Sequence, residues 1–302
     1  MAKNKTAKLI LEDGTEFSGI NFGAEKSVAG EVVFATGMVG YPEALTDPSF
    51  RGQILVLTFP LIGNYGVPKK ESWESPKIQV SGLIVCNYLD TPSHHAMERT
   101  LGAWFKKEKI PLLEIKGTRE LTQKLRSEGV SLGKIIINGK NVPFADPNTR
   151  NLVAEVSTKK ILFFDDGTPS TSSGQKHTIV LLDCGAKKNI IRSMVSRGFK
   201  VAVVPWNTDV LKLHFPFSAV IISNGPGDPQ KVKSTIENVK KIIAKKIPVL
   251  GICLGNQILT LALGGSTYKL KFGHRSQNQP VVETGTNRGL KFSLSFSYFC
   301  SL

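Results

Sequence analysis

Cys253 is the residue with the strongest case for chemistry. It sits in GICLGNQ, between an apolar run of strand character (IPVLGI) and a segment with helical apolar spacing (LGNQILTLALGG). A glycine two residues to either side, Gly251 and Gly255, leaves room for a sharp turn. This is the cysteine form of a nucleophile elbow, in which a strand-to-helix turn lifts a reactive side chain clear of a sheet. The first amides of the following helix point toward the sulfur and favour its thiolate. The same amides can hold an oxyanion on an attacked carbonyl. The plainer alternative is a small buried apolar side chain, the usual state of a free cysteine. The flanking glycines argue against it for Cys253. Cys86 and Cys184, at the ends of apolar strand patterns without such glycines, are expected to be inert and buried.

A second glycine-rich turn, SNGPGDP, lies upstream. Gly225 and Gly227 permit close backbone approach and positive φ, and Pro226 and Pro229 stiffen the loop. Alone it could be an ordinary strand-to-helix connection. The four cysteines (Cys86, Cys184, Cys253, Cys300) form no CxxC pair, which argues for a reducing compartment rather than a disulfide framework. The five histidines (His94, His95, His177, His214, His274) show no HExxH or HxH spacing, so no metal is expected.

Two regions must position these residues. Up to about Glu155 the chain is β-rich with short helices. KLILEDGTEFSG has the pattern of a hairpin around Asp-Gly. GEVVFATG and GQILVLTFP have the pattern of buried strands. HAMERTLGAWFKKEKI is expected to be one helix with Met97, Leu101 and Trp104 on a shared face, and TRELTQKLRSEG another, stopped by Gly129. FFDDGTPSTSSGQKH has linker composition, and the segment 156–176 is assigned to a linker. From 177 to 302, strand patterns (HTIVLLD, KVAVVPW, SAVIISNG, IPVLGI) alternate with helical ones, which implies an α/β fold with a parallel sheet covered on both faces. Ligands of such sheets bind beyond the carboxyl ends of the strands. That places SNGPGDP and GICLGNQ on one rim.

The 302 residues are 41% hydrophobic and 21% charged, enough apolar material for two cores. The net charge of +15 could mark a nucleic-acid surface. The lysines are instead scattered over helical segments with no interleaved aromatics and no recognition motif, so solvated faces or an acidic partner fit better than nucleic acid. Apolar runs are too short to cross a bilayer. The lysine-rich start resembles neither a secretory signal nor an amphipathic presequence, which gives a cytoplasmic expectation.

GICLGNQ together with SNGPGDP resembles class I, triad-type glutamine amidotransferases. GEVVFATGMVGYPEALTDPSFRGQILVLTFPLIGNYGV, TRELTQKLRSEG, DPNTRNLVAEVS and LLDCGAKKNIIR resemble the small-subunit region of carbamoyl-phosphate synthase, as does YKLKFGHRSQNQPVV. The resemblance covers about Leu9 to Val282 and is nearest in flavour to the eukaryotic pyrimidine-type enzyme. It implies a β-rich α/β N-terminal domain over 1–155 and a Rossmann-like parallel-sheet amidotransferase domain over 177–302. It implies hydrolysis of glutamine, with ammonia passed to a synthetase that makes carbamoyl phosphate for pyrimidine or arginine synthesis. By motif, Cys253 is the nucleophile. Gly225 and Leu254 supply oxyanion amides, and Ser49, Gly227 and Gln257 hold glutamine. The implied partner is the large subunit or fused synthetase domains. ATP and magnesium belong to that partner, and no cofactor to this chain.

Three departures from the family pattern stand out. Asn256 replaces a usual histidine, and Gly117 a usual aspartate, where Thr118 is expected to take over as helix cap. The family pattern also continues, past about Gly289, into an Asn-His-Gly segment and later a His-Pro-Glu segment carrying the base. Here the chain runs LKFSLSFSYFCSL. That tail suggests a truncated or altered end to the domain, with an edge strand as the alternative because Leu290–Phe296 alternates. Two functions follow: a glutaminase, with little activity in the chain as written, or a non-catalytic module that keeps the fold and the docking surface.

Overall fold

The structure, a computed structural model, describes residues 5–165, 167, 177–282 and 289–301. It divides into two compact units. One holds the described residues of Met1–Pro147 and Lys271–Ser295, the other those of Asn148–Leu270 and Phe296–Leu302.

In the first unit the chain runs β1 (Lys5–Leu11), β2 (Glu16–Asn21), β3 (Val28–Ala35), α1 (Tyr41–Thr46), β4 (Gln53–Leu57), β5 (Leu61–Ile62), β6 (Gly82–Val85), β7 (Asn87–Tyr88), α2 (Leu101–Lys107), β8 (Leu112–Glu114), α3 (Thr118–Glu128) and β9 (Ser131–Ile137). Seven of these strands close a barrel in the order β1-β2-β8-β6-β4-β3-β9, and β9 returns to pair with β1. β5 and β7 form a separate short parallel ribbon. The β1–β2 hairpin turns at Asp13-Gly14, where Gly14 takes φ +87° and the Asp13 carboxylate accepts the Thr15 N–H at 2.9 Å. Alternation then works as expected. Ala7, Leu9 and Leu11 are buried, whereas Thr6 and Lys8 are exposed. Residues from all seven strands meet in one apolar cluster, including Leu9, Phe17, Val32, Ile54, Ile84, Leu113 and Ile135, joined by Leu121 and Leu125 of α3. β3, β4, β6 and β8 are mutually parallel and largely buried on both faces, which explains their apolar runs, and the two buried polar residues among them, Glu31 and Gln53, pair with each other at 2.8 Å. Their other face packs with Leu45 of α1, Trp73, and Leu101, Trp104 and Phe105 of α2.

Two expectations for this unit need correction. The helix expected from His95 onward starts only at Leu101, because the Thr100 hydroxyl accepts the Ala103 N–H and caps it there. Met97 lies before the helix and is 36% exposed. Thr118 does not cap α3. The N-cap is Gly117 without a side-chain bond, and Thr118 is buried as the first helical residue.

The second unit contains α4 (Leu152–Val156), β10 (Leu162–Phe164), β11 (Thr178–Asp183), α5 (Lys188–Val195), β12 (Lys200–Pro205), β13 (Ala219–Ile222), α6 (Lys233–Ala244), β14 (Val249–Gly251) and α7 (Leu254–Ala262). Its sheet has the order β10-β12-β11-β13-β14. All neighbours are parallel except β10, which adds antiparallel to β12. β11 shows why this is a two-faced sheet. Val180 and Leu182 point into a core shared with α6 and α7, and Ile179 and Leu181 into one shared with α5. The six lysines Lys231, Lys233, Lys240, Lys241, Lys245 and Lys246 are all exposed on or beside α6. Within the segment assigned to a linker, Leu162–Phe164 is a strand, while residues 166 and 168–176 lie outside the described residues. β15 (Ser266–Val282) and β16 (Gly289–Ser301) pair as a two-stranded ribbon. Leu290–Phe296, whose alternation suggested a strand, lies within β16.

Candidate active site

The carboxyl ends of β11, β13 and β14 stand side by side, with Leu182 opposite Ile222 and Ile222 opposite Gly251. The Ile252 N–H still donates to the Ile222 carbonyl at 2.9 Å, so the chain remains in the sheet to the residue before the cysteine. At Cys253 the backbone turns to φ 55°, ψ −109°, and α7 begins at once. The Gly255 N–H donates to Ile252 O at 2.9 Å and the Asn256 N–H to Cys253 O at 3.0 Å.

That conformation lies outside the left-handed region that turn residues use, where ψ is about +30 to +60°. Among the described residues three other non-glycine residues have positive φ: Lys109, Asn138 and Lys246. Of the four, Cys253 alone joins a strand directly to a helix. Holding a side chain in so sparse a region costs about 1–3 kcal/mol, which the surrounding packing must supply. The glycines show how. A Cβ on Gly251 would lie 2.5 Å from the Asn256 nitrogen, and one on Gly255 would overlap the Ile222 carbonyl oxygen. Both glycines are therefore required by contact, because the helix start folds back onto the strand ends.

The second turn divides its glycines by role. Gly225 lies against Cys184 and Leu254: a Cβ there would overlap the Cys184 carbonyl and sit 2.9 Å from Leu254 Cδ2. Gly227 has φ +83°, with Leu152 no nearer than 3.5 Å to an added Cβ, so it serves the backbone turn. Leu254 and Gln257 are buried, Cys253 is partly exposed, and Asn256 is exposed. As the first residue of α7, Leu254 has no intrahelical acceptor for its N–H. Gly225, Gly227, Cys253, Leu254 and Gln257 thus share one rim. Ser49 belongs to the other unit, on a 3-10 turn (Pro48–Phe50) where its N–H donates to the Asp47 carboxylate at 2.9 Å.

The other cysteines differ sharply. Cys184 is fully buried, and burial, reinforced by the charge of Asp183, pushes its thiol far above the usual range. Cys86, expected to be buried, is half-exposed after the end of β6, with the Asn87 amide nitrogen 3.7 Å from its sulfur. The side chains of His274 and Cys300 lie outside the described residues. His177 stands at the amino end of β11, the edge of the sheet opposite Cys253, and its Nδ1 is 3.0 Å from the Ser218 hydroxyl.

Sequence reasoning missed the polar residues that brace this rim. Asp183 closes β11: its Oδ1 accepts the N–H groups of Gly185 and Ala186 at 2.9 and 2.8 Å, and its Oδ2 that of Thr158 at 2.7 Å. Ser223 and Asn224 tie the second turn to the same loop. An aspartate ending an apolar strand, two residues before a glycine, was the available signal for Asp183. The two residues in front of Gly225 carried none.

Among the described residues no helix is long and apolar enough to cross a membrane. Residues 9–135 match the family described as carbamoyl-phosphate synthase small chain, CPSase domain, and residues 180–299 match glutamine amidotransferase class-I. The chain is 49% identical over 295 residues to the multifunctional protein CAD of Squalus acanthias, covering 93% of this chain and 13% of that protein. It is 44% identical over 291 residues to the mitochondrial carbamoyl-phosphate synthase [ammonia] of Homo sapiens, covering 93% and 19%. With the carbamoyl phosphate synthase arginine-specific small chain of Saccharomyces cerevisiae it shares 44% over 296 residues, covering 93% of this chain and 71% of the yeast one. The chain therefore spans less than a fifth of the two longer relatives but most of the yeast subunit. On these matches, and on an elbow cysteine set above a parallel sheet, the chain belongs to the carbamoyl-phosphate synthase small-chain family and carries a class-I glutamine amidotransferase region.

Proposed function

We propose that the chain cleaves the side-chain amide of glutamine at Cys253 and delivers the ammonia for carbamoyl phosphate synthesis. The observation that carries this reading is the backbone of Cys253, held at φ 55°, ψ −109° between β14 and α7. The Cys253 sulfur attacks the glutamine amide carbon, and the oxyanion is received by the Gly225 and Leu254 amides. The carbon–nitrogen bond breaks, a γ-glutamyl thioester forms, and the proton of the thiol leaves on ammonia. Water then hydrolyses the thioester to glutamate and restores the thiol. Gly227 and Gln257 contribute to holding glutamine, and the family resemblance assigns Ser49 the same role. The ammonia goes to a synthetase, supplied as a large subunit or as fused domains, which uses bicarbonate, ATP and magnesium. A cytoplasmic setting and service to pyrimidine or arginine synthesis belong to the same reading.

The family resemblance implies that forms running on free ammonia lack the elbow cysteine. Its presence here supports glutamine use. The second half of the cycle needs a base, and no His-Pro-Glu segment occurs in the 302 residues. The polypeptide by itself is therefore expected to acylate and then stall, with turnover lower by roughly 10³-fold or more than in a complete triad. The same feature favours the second reading, a non-catalytic module that retains the synthetase-docking surface.

The test is incubation of the purified chain with glutamine, alone and with a synthetase subunit, followed by acid quench. A thioester on Cys253 with about one ammonia per chain is expected, and none from Cys253→Ser. Sustained turnover by the chain alone would mean that a base is present within it, with His274 the first to substitute. Equal ammonia release by Cys253→Ser would refute the nucleophile.

A further inference from the structure

One hydroxyl at the end of β13 controls the direction of a peptide plane. Ser223 is fully buried. Its Oγ accepts the Cys184 N–H at 2.9 Å and donates to the Asn224 carbonyl oxygen at 2.8 Å. The Asn224 carbonyl and the Gly225 N–H belong to one planar trans peptide, so they point in opposite directions. Fixing the oxygen therefore fixes the N–H. A second tie holds the same residue, since the Lys187 N–H donates to Asn224 Oδ1 at 3.1 Å and Asn224 is only 4% exposed. The close fit of Gly225 against the Cys184 carbonyl, where no side chain could be added, completes the clamp.

We infer that Ser223 is a positioning residue for amide cleavage: its hydroxyl locks the Asn224–Gly225 peptide so that the Gly225 N–H is presented to the oxyanion. The inference rests on the proposed role of Gly225 as an oxyanion donor. Oxyanion stabilisation depends on donors being aimed before the charge develops. A peptide in a tight turn can rotate between two orientations at small cost, as the difference between type I and type II turns illustrates. The Ser223 hydroxyl removes that freedom by bonding the oxygen in one orientation. Its acceptor site is filled by the Cys184 N–H, just past the end of β11, which also donates to the Leu182 carbonyl at 3.1 Å, so the hydroxyl is held from a neighbouring strand end as well as from its own turn. Ser223 touches no substrate in this scheme and acts through Gly225.

The experiment uses the 302-residue chain and single-turnover formation of the γ-glutamyl thioester on Cys253 across a range of glutamine concentrations. In Ser223→Ala the limiting acylation rate is expected to fall about 10- to 100-fold, since a donor is misaimed rather than deleted. The half-saturating glutamine concentration should change less than about threefold, because an interaction made only in the transition state is lost. Ser223→Thr keeps the hydroxyl and should recover most of the rate. An unchanged rate in Ser223→Ala would overturn the inference. So would a parallel loss of rate and glutamine affinity that Ser223→Thr fails to recover, which marks a merely structural residue. If the unaltered chain forms no thioester, the fault lies with the glutaminase reading. The lock is then judged from a crystal structure of Ser223→Ala, where a turned Asn224–Gly225 peptide upholds it and an unmoved one overturns it.

Discussion

The two units use the same strands and helices to opposite ends. The first closes its sheet, so that β1 meets β9 and the barrel leaves no free strand edge, and its interior fills with side chains from all seven strands. The second leaves its sheet open. Glycines pack as tightly in the barrel, where a Cβ on Gly19 or Gly30 would strike the Glu114 or Gly52 carbonyl, but in the second unit the tight glycines Gly225, Gly251 and Gly255 crowd the strand ends around Cys253. One non-glycine residue there is held where few residues go. The barrel's positive-φ residues, Asn138 among them, lie in ordinary connections. Closure stabilises one unit through side-chain packing, whereas the other spends stability at its rim to present Cys253. Packing energy and chemistry should therefore respond to different substitutions.

The largest effect is expected at Trp104, fully buried with its ring centroid 4.5 Å from that of Trp73. Trp104→Ala should destabilise the first unit by about 3–5 kcal/mol. Amide exchange resolved by segment should show β3, β4, β6 and β8 losing protection while β11, β12 and β13 keep theirs. Equal losses in both sets would mean that the two cores are not energetically separate.

Gly255→Ala tests the rim in the same way. The added methyl must displace the Ile222 carbonyl, at a cost of about 1–3 kcal/mol. The stated comparison is Gly14→Ala in the β1–β2 turn, where φ is +87° but nothing lies within 4 Å of an added Cβ. There only conformational strain of about 1 kcal/mol is expected. Thermal denaturation should rank Gly255→Ala as the more damaging, and the reverse order would contradict the contact-based account of the elbow.

The smallest effect concerns charge on the barrel. Lys124 of α3 bonds both Asp13 at 2.6 Å and Glu128 at 2.7 Å. The hydrogen bond from Lys124 chiefly, and that from the Thr15 N–H next, lower the Asp13 carboxyl from 3.8 to about 2. A depressed folded-state value means the contribution is present above about pH 4 and is lost as pH falls toward 2. The pair is solvent-exposed, so Asp13→Asn should cost less than about 1 kcal/mol at neutral pH. The difference between Asp13→Asn and the unaltered chain should vanish below pH 2.

Much of the rim was legible because its constraints are local. A cysteine between an apolar run and a helical pattern, with glycines two residues to either side, states a close-packed turn in seven residues. The parallel sheet followed from alternating patterns in the same way. Other features depend on distant partners or on one hydrogen bond. The barrel closes through β1–β9 pairing across more than a hundred residues, which no local pattern records. Apolar spacing extended the α2 pattern back to Met97, yet Thr100 starts the helix after it. Leu162–Phe164 looked like the approach to a linker because a three-residue edge strand carries too little pattern to separate it from one. Cys86 was taken as buried from the apolar strand before it, but it falls just past the strand's end. Ser223 is silent in sequence because its role comes from the direction of its two hydrogen bonds.

The central claim is that Cys253 alone is set up to attack. Its most direct test is to treat the chain with a glutamine-analogue electrophile at neutral pH and map the adduct by peptide mass spectrometry, with excess glutamine as competitor. The account predicts modification of Cys253, suppressed by glutamine, with Cys184 unmodified. Preferential, glutamine-protected modification of Cys86 or Cys184 would contradict it.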